Sequence, residues 1–245
     1  MRTIRVHVDA PLRERAELAL PEDAATHLVR VLRLAAGDAC VVFDGRGAEF
    51  DAVVTLAAKR EVRVRVGAPR EVANESPLRL VLLQGIARGE KMDLVLQKAT
   101  ELGVHAVHPV FAQRSEVRLD PERAARRVAH WRGVVVAACE QSGRATVPHV
   151  TDPVPLAAAF AALPAGGLRL LLDPFAQASL STVEVDASAP LVLAIGPEGG
   201  WSPLDRDLLA AAGFTGLRLG PRVLRTETAG LAAIAALQAR FGDLG

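Results

Sequence analysis

Cysteine and lysine are both scarce in this chain of 245 residues. Its two cysteines, Cys40 and Cys139, lie far apart, one in a strand-like and one in a helix-like context, with no Cys-x-x-Cys and no histidine at ligand spacing. That excludes a zinc knuckle and argues against a disulfide scaffold. Lys59, Lys91 and Lys98 are the three lysines among 29 basic residues, and the other 26 are arginine. Arginine presents a planar fork suited to phosphate and base edges. A codon bias toward arginine and alanine accounts for the total, so only clustered arginines carry weight. No apolar run is long enough to cross a membrane, and MRTIRVHVDA has no apolar signal core, so a cytoplasmic protein without a membrane partner is expected. There is no G-x-G-x-x-G after any predicted strand and no G-x-x-x-x-G-K-[ST], which disfavours a Rossmann dehydrogenase. His105 and His108 sit in a strand-like segment, where their spacing puts them on opposite faces, so no metal site is expected.

What is present describes a soluble globular protein: 50% hydrophobic residues and a net charge of +1. The length suits one large domain or a small one plus a medium one. Residues 1–66 read as β-rich, with strands at Ile4–Val8, Ala39–Asp44, Ala48–Leu56 and Glu61–Gly67. One helix, at about Glu22–Leu34, interrupts them, and together they suggest a small barrel. Gly67–Pro77 is polar, carries two prolines and reads as a linker. From Leu78 on, strands and helices alternate: strands at Leu78–Gln84, Val104–Phe111, Val147–Val150 and Leu168–Leu172, helices at Glu90–Leu102, Pro121 to about Ser142, and near Pro155–Leu163. That alternation predicts a parallel α/β sheet.

The last fifty residues repeat one device. Strand LVLAI (Leu191–Ile195) runs into Gly196-Pro197-Glu198-Gly199-Gly200 and then a helix start at Ser202-Pro203-Leu204-Asp205. Strand GLRL (Gly216–Leu219) runs into Gly220-Pro221-Arg222-Val223-Leu224-Arg225-Thr226-Glu227-Thr228 and then a helix at about Ala229–Phe241. Strand ends that open into helix N-termini are where α/β sheets bind ligands. Ser202 supplies a capping hydroxyl, Pro203 suits the first helical position, and Asp205 completes a capping pattern. The final helix is apolar almost all round, which predicts burial in a core or between subunits.

These segments resemble the ribosomal RNA small subunit methyltransferase E family of the SPOUT superfamily. The resemblance is carried by IGPEGGWSPLD, LRLGPRVLRTETA and ALQARFGDLG, and extends through Arg88–Val104, Ala137–Arg144, His27–Arg33 and Phe43–Ala52. It implies an α/β fold class with a PUA-like RNA-binding β-barrel over residues 1–70 and a SPOUT methyltransferase domain over 77–245, knotted from roughly 168 to 245. It implies S-adenosylmethionine as cofactor, a uridine N3 of 16S rRNA in the 30S ribosomal subunit as acceptor, no metal, and a homodimer. By motif, the adenosine pocket falls on Leu172, Gly196, Glu198, Gly199, Gly200, Leu217, Leu219, Gly220, Leu224, Arg225, Thr226, Thr228 and Ala229. Leucines suit an apolar wall, and glycines and helix starts expose backbone donors.

The N3–H of uracil ionises well above neutral pH, so the site must take a proton or hold the anion. A carboxylate serves the first need and an arginine the second. Arg88, Arg144, Glu198, Arg225 and Glu227 are the catalytic candidates, and Glu198 could equally hold a loop through backbone amides. For RNA the candidates are Arg5, Arg30, Arg33, Arg46, Arg88, Lys91, Arg114 and Arg144, with Arg30 and Arg33 on one helix face. Arg123, Arg126 and Arg127 read as solvated surface charge. Two other readings stand beside this one: a SPOUT enzyme acting on another RNA, such as 2′-O methylation of tRNA ribose, and a non-catalytic RNA-binding assembly factor.

Overall fold

The computed structural model describes residues 4–21, 24–25, 28–29, 33–58, 61–117 and 120–245. The chain divides into two compact units, Met1–Glu75 with Cys139–Val147, and Ser76–Ala138 with Pro148–Gly245. The inclusion of residues 139–147 in the first unit was not readable from periodicity, because it depends on contacts distant in sequence.

The smaller unit is a five-stranded sheet of β1 (Arg5–His7), β2 (Glu17–Ala19), β3 (Ala39–Phe43), β4 (Glu49–Ala57) and β5 (Val62–Arg70), ordered β1-β3-β4-β5-β2. Strict alternation does the sorting: β5 buries Val62, Val64 and Val66 and exposes Arg63 and Arg65. The β3–β4 hairpin turns at Gly45 and Gly47, whose φ values of 75° and 105° suit glycine. Strand β2 was not anticipated, being three residues long, and β5 runs three residues past its expected end at Gly67. The helix expected at Glu22–Leu34 lies largely outside the described residues, as does Arg30, while Ala25 and Leu28 are buried in the core of this unit. Arg33 has φ 55°, so it is not helical and the shared helix face expected for it is not found.

Residues 139–147 complete this unit with a second small core of Phe43, Cys139 and Ala145, packed by Val72 and Val147. Around it runs an ionic network. Arg5 pairs with buried Glu49, stacks over Phe43 at 4.8 Å and donates to the carbonyl of Arg144 at 2.9 Å. Arg144 in turn forks onto Glu75 at 2.6 and 3.2 Å. Burial pushes the Cys40 thiol up to about 11 and the Cys139 thiol up to about 12, so both are inert.

The larger unit carries seven parallel strands: β6 (Leu80–Gly85), β7 (Ala106–Phe111), β8 (His149–Val150), β9 (Val154–Pro155), β10 (Leu168–Leu172), β11 (Leu191–Ile195) and β12 (Thr215–Leu217). Their order is β12-β10-β11-β6-β7-β8, with β9 also on β7. Strands β6 and β11 are wholly buried and apolar but for Gln84, as strands covered on both faces must be. The helices are α1 (Glu90–Glu101), α2 (Pro121–Ser142, whose last turn belongs to the smaller unit), α3 (Leu156–Ala159), α4 (Pro203–Ala211) and α5 (Thr226–Phe241). The predicted cap of α4 forms: Ser202 Oγ accepts from Asp205 N–H and the Asp205 carboxylate accepts from Ser202 N–H, both at 3.0 Å. Asp205 also accepts from Gln113 N–H at 3.2 Å, tying the start of α4 to the loop after β7.

Helix α5 starts at Thr226, three residues before its expected start, and β12 ends two residues earlier than expected, at Leu217. The buried side of α5 includes Gly230, Ala233, Ile234 and Leu237. Its one long buried polar side chain, Gln238, is satisfied at both ends, accepting from Ser76 Oγ at 2.6 Å and donating to the Leu102 carbonyl at 2.9 Å. Of the two histidines near β7, His105 is exposed and His108 buried, and burial, helped by the charge of His149, lowers the pKa of His108. Among the described residues no group of three or more potential ligands could hold a metal ion, and no helix is long and apolar enough to cross a membrane.

Candidate functional site

Three strand ends of the larger unit open into one cavity of about 410 Å³. Leu172 ends β10 and Asp173 and Pro174 follow it; Ile195 ends β11 and Gly196–Glu198, Gly200 and Trp201 follow it; residues between Leu219 and Ala229 lead from β12 into α5. Sheet order makes this convergence: β10 lies between β11 and β12, so their carboxyl ends are neighbours although far apart in sequence. Ten of the motif-derived pocket residues line the cavity: Leu172, Gly196, Glu198, Gly200, Leu219, Gly220, Leu224, Arg225, Thr226 and Ala229. Leu217 is fully buried in register with Leu172, Thr228 faces solvent on α5, and Gly199 takes the Arg114 guanidinium on its carbonyl at 3.3 Å; none of these three lines the cavity.

The first Gly-Pro loop is held closely. A Cβ on Gly85 would lie 2.5 Å from Pro197 Cδ and 2.6 Å from its nitrogen, so the loop passes over β6 only because residue 85 has no side chain. A Cβ on Gly199 would come within 3.0 Å of the Arg114 carbonyl. Glu198 accepts the Arg88 N–H at 3.1 Å and the Lys91 ammonium at 3.2 Å. Burial works against the charge on Glu198, but the Arg88 amide, its own backbone N–H and Lys91 outweigh it and hold the carboxyl below its ordinary value. Glu198 is thus a tether held ionised, which makes it a weak proton acceptor.

The second loop is freer. Gly220 has φ 82° with open space where a Cβ would stand. Its anchor is Thr226, whose hydroxyl donates to the Gly196 carbonyl and accepts from buried Gln84 at 3.3 Å. Arg225 occupies the N-cap of α5 without a side-chain capping bond, so the first backbone N–H groups of α5 lack the usual side-chain acceptor. Glu227 lies in that first turn, with Oε2 buried and without a hydrogen bond and Lys91 at 4.0 Å. Arg222 and Arg225 are exposed, and among the described residues neither forms an ion pair.

Elsewhere the candidates part company. Arg88 pairs with Glu116 and Arg46 with Asp9 at 3.0 Å, both half or more exposed. Lys91 lines the cavity between Glu198 and Glu227. Arg114 is exposed beside Gly199. Arg5, largely buried, and Arg144, buried, lie within the smaller unit and are paired there with carboxylates, Glu49 and Glu75. Sequence reading missed Asp173 and Arg206, which pair across the cavity wall, and Trp201, whose buried indole N–H has no partner. No motif marked the first two, since an ion pair between residues 33 apart leaves no local pattern.

Comparison with known proteins places the same segments in context. Residues 74–238 match the family model for the RNA methyltransferase domain, and residues 20–67 that for the RNA methyltransferase PUA domain. The ribosomal RNA small subunit methyltransferase E of Mycobacterium bovis is 32% identical over 88% of this chain and 83% of its own. That of Buchnera aphidicola is 29% identical over 98% of this chain and 97% of its own. The crystal structure of the Neisseria gonorrhoeae protein of that name, bound to S-adenosyl methionine, superposes with a TM-score of 0.94 at 38% identity, covering 100% of both chains.

Proposed function

The chain belongs to the ribosomal RNA small subunit methyltransferase E family, and from that premise we propose that it methylates N3 of a uridine in 16S rRNA with S-adenosylmethionine as donor. The observation that carries the reading is the convergence of both Gly-Pro loops on one cavity of about 410 Å³, within the ordinary range for small-molecule sites. The residues fit the donor. Leu172, Ile195, Leu219 and Leu224 offer an apolar wall to a purine, and the uncapped start of α5 offers backbone donors. Bound there, S-adenosylmethionine supplies an electrophilic methyl group on a sulfonium.

The chain's own residues supply the rest. Three carboxylates line the cavity: Asp173 is paired with Arg206 and Glu198 holds the loop, whereas Glu227 keeps a buried oxygen without a hydrogen bond, and we assign it the N3 proton. Arg225, exposed at the start of α5 without an ion-pair partner among the described residues, is assigned the negative charge that develops on O2 and O4 of uracil. The smaller unit, with its match to the PUA model, is assigned to RNA docking, with Arg33 and Arg46 among its exposed cations. The half-buried Leu231, Ala232, Ala235 and Ala236 of α5 support a homodimer in which that side is covered. The return of the chain from edge strand β12 to α5, which packs on α1 and β11, supports a knotted thread over 168–245.

The test is transfer of labelled methyl from S-adenosylmethionine to 30S particles and to naked 16S rRNA from cells lacking the protein, followed by mass mapping. A single N3-methyluridine is the expected product. A methylated ribose, or label only in tRNA, would replace this reading with that of another RNA methyltransferase. Donor binding without any transfer would favour an assembly factor.

A further inference from the structure

The two most exposed large apolar side chains among the described residues are Phe175, at 81%, and Val223, at 77%. Single exposed apolar side chains need no explanation, but Val223 lines the cavity and Phe175 directly follows the lining residue Pro174. Phe175 is also fixed. Its backbone N–H donates to Asp173 Oδ1 at 3.0 Å, while Asp173 Oδ2 takes Arg206 and the Asp173 N–H donates to the Leu217 carbonyl at 3.0 Å. A rigid turn thus holds an aromatic ring in solvent. Next to Val223 stand Arg222 and Arg225, without an ion-pair partner among the described residues.

We propose that Phe175 and Val223 form the platform on which the extruded acceptor nucleobase rests, with Arg222 taking the neighbouring phosphate. The proposal rests on the reading of this cavity as the donor site of an RNA methyltransferase. A base can reach that site only out of its stack, and an unstacked base is held by aromatic and apolar faces beside cationic side chains. Charge complementarity selects the occupant. Two unpaired arginines suit a polyanion, whereas a two-fold contact with a second copy would apply one cationic patch to another of the same sign.

Methyl transfer to 30S particles by wild type, Phe175→Ala, Phe175→Trp and Arg222→Gln tests this, with donor affinity by calorimetry and oligomeric state by light scattering run on the same samples. Phe175→Ala is expected to lower kcat/KM for the RNA about tenfold, with donor affinity and oligomeric state unchanged, and Phe175→Trp to restore it. Arg222→Gln is expected to reduce the salt slope of RNA binding by about one unit. Unchanged RNA kinetics in Phe175→Ala would overturn the platform while leaving the donor site standing. A change in oligomeric state would make the occupant a second copy, and a loss of donor affinity would make Phe175 part of the donor wall; either overturns the proposal. A wild type that binds donor and transfers nothing would overturn the functional reading and the platform with it.

Discussion

The two Gly-Pro loops leave the strand ends on either side of β10 with similar sequences and are held in opposite ways. The loop after β11 is fixed from several sides: Pro197 lies against Gly85, Glu198 is tethered to Arg88 and Lys91, Gly199 sits against Arg114, and a full capping box follows. The loop after β12 hangs from Thr226 and a left-handed Gly220, and leaves Arg222, Val223 and Arg225 exposed. The contrast separates two jobs. A cavity wall must keep its shape when empty, because shape is what recognises the donor, whereas groups that meet a large partner must stay uncommitted until it arrives.

Substitutions can break or sharpen that contrast. The largest effect is expected outside both loops, at Arg144. Removing it takes a buried guanidinium away from Glu75, which is itself exposed, and loss of such charge-assisted hydrogen bonds costs about 3 kcal/mol. Arg144→Ala should therefore lower the urea midpoint strongly, and its residual folded fraction should turn over at saturation near the wild-type rate. A normal midpoint with collapsed turnover would return Arg144 to the chemistry.

Gly85→Ala comes next. Its Cβ would strike the Pro197 backbone nitrogen, not a movable side-chain tip, and overpacking of that kind costs about 2 kcal/mol. Donor binding should fail with it in calorimetry, since the first loop must shift. Gly220→Val meets no atom but forces a β-branched residue to φ 82°, for about 1–2 kcal/mol. Donor affinity should fall less than in Gly85→Ala; the reverse order would show that the second loop, not the first, shapes the cavity.

Ser202→Ala removes the accepting oxygen of the α4 cap and should cost about 1 kcal/mol, read as a lower melting temperature. The smallest effect concerns pH. Because the Glu198 carboxyl lies below its ordinary value of 4.5 when folded, its contribution to stability is complete above that value and lost as pH falls through the lower, folded one. Glu198→Gln should therefore flatten the acid limb of the stability profile while changing little at pH 7. An acid limb identical in the two proteins would show that the tether carries no charge-dependent stability.

Much of this was legible residue by residue. Alternating Val62, Val64 and Val66 against Arg63 and Arg65 fixed the face of β5, the apolar runs at Leu80–Gly85 and Leu191–Ile195 marked buried parallel strands, and Ser202-Pro203 with Asp205 marked the start of α4. Glycine and proline between strand and helix pointed to the cavity, because those residue types have local conformational reasons to be there. The motif resemblance reached most of the lining residues, but it did not show which arginines are held in ion pairs. Arg5 and Arg144 look in sequence like Arg222 and Arg225, and differ in the carboxylates that lie beside them only after folding.

By itself, then, the sequence determined most of the longer strands and helices, where chain turns open at strand ends, and that two such openings share one design. These follow from periodicity, caps and backbone preference, which act over a few residues. Tertiary structure alone decided that β10 lies between β11 and β12, that residue 85 must be glycine for Pro197 to pass, that residues 139–147 complete the smaller unit, and which arginines are buried in ion pairs and which remain exposed. Each of those depends on contacts between residues far apart in the chain, and the energy of such a contact is set by distance and burial, which no local pattern encodes.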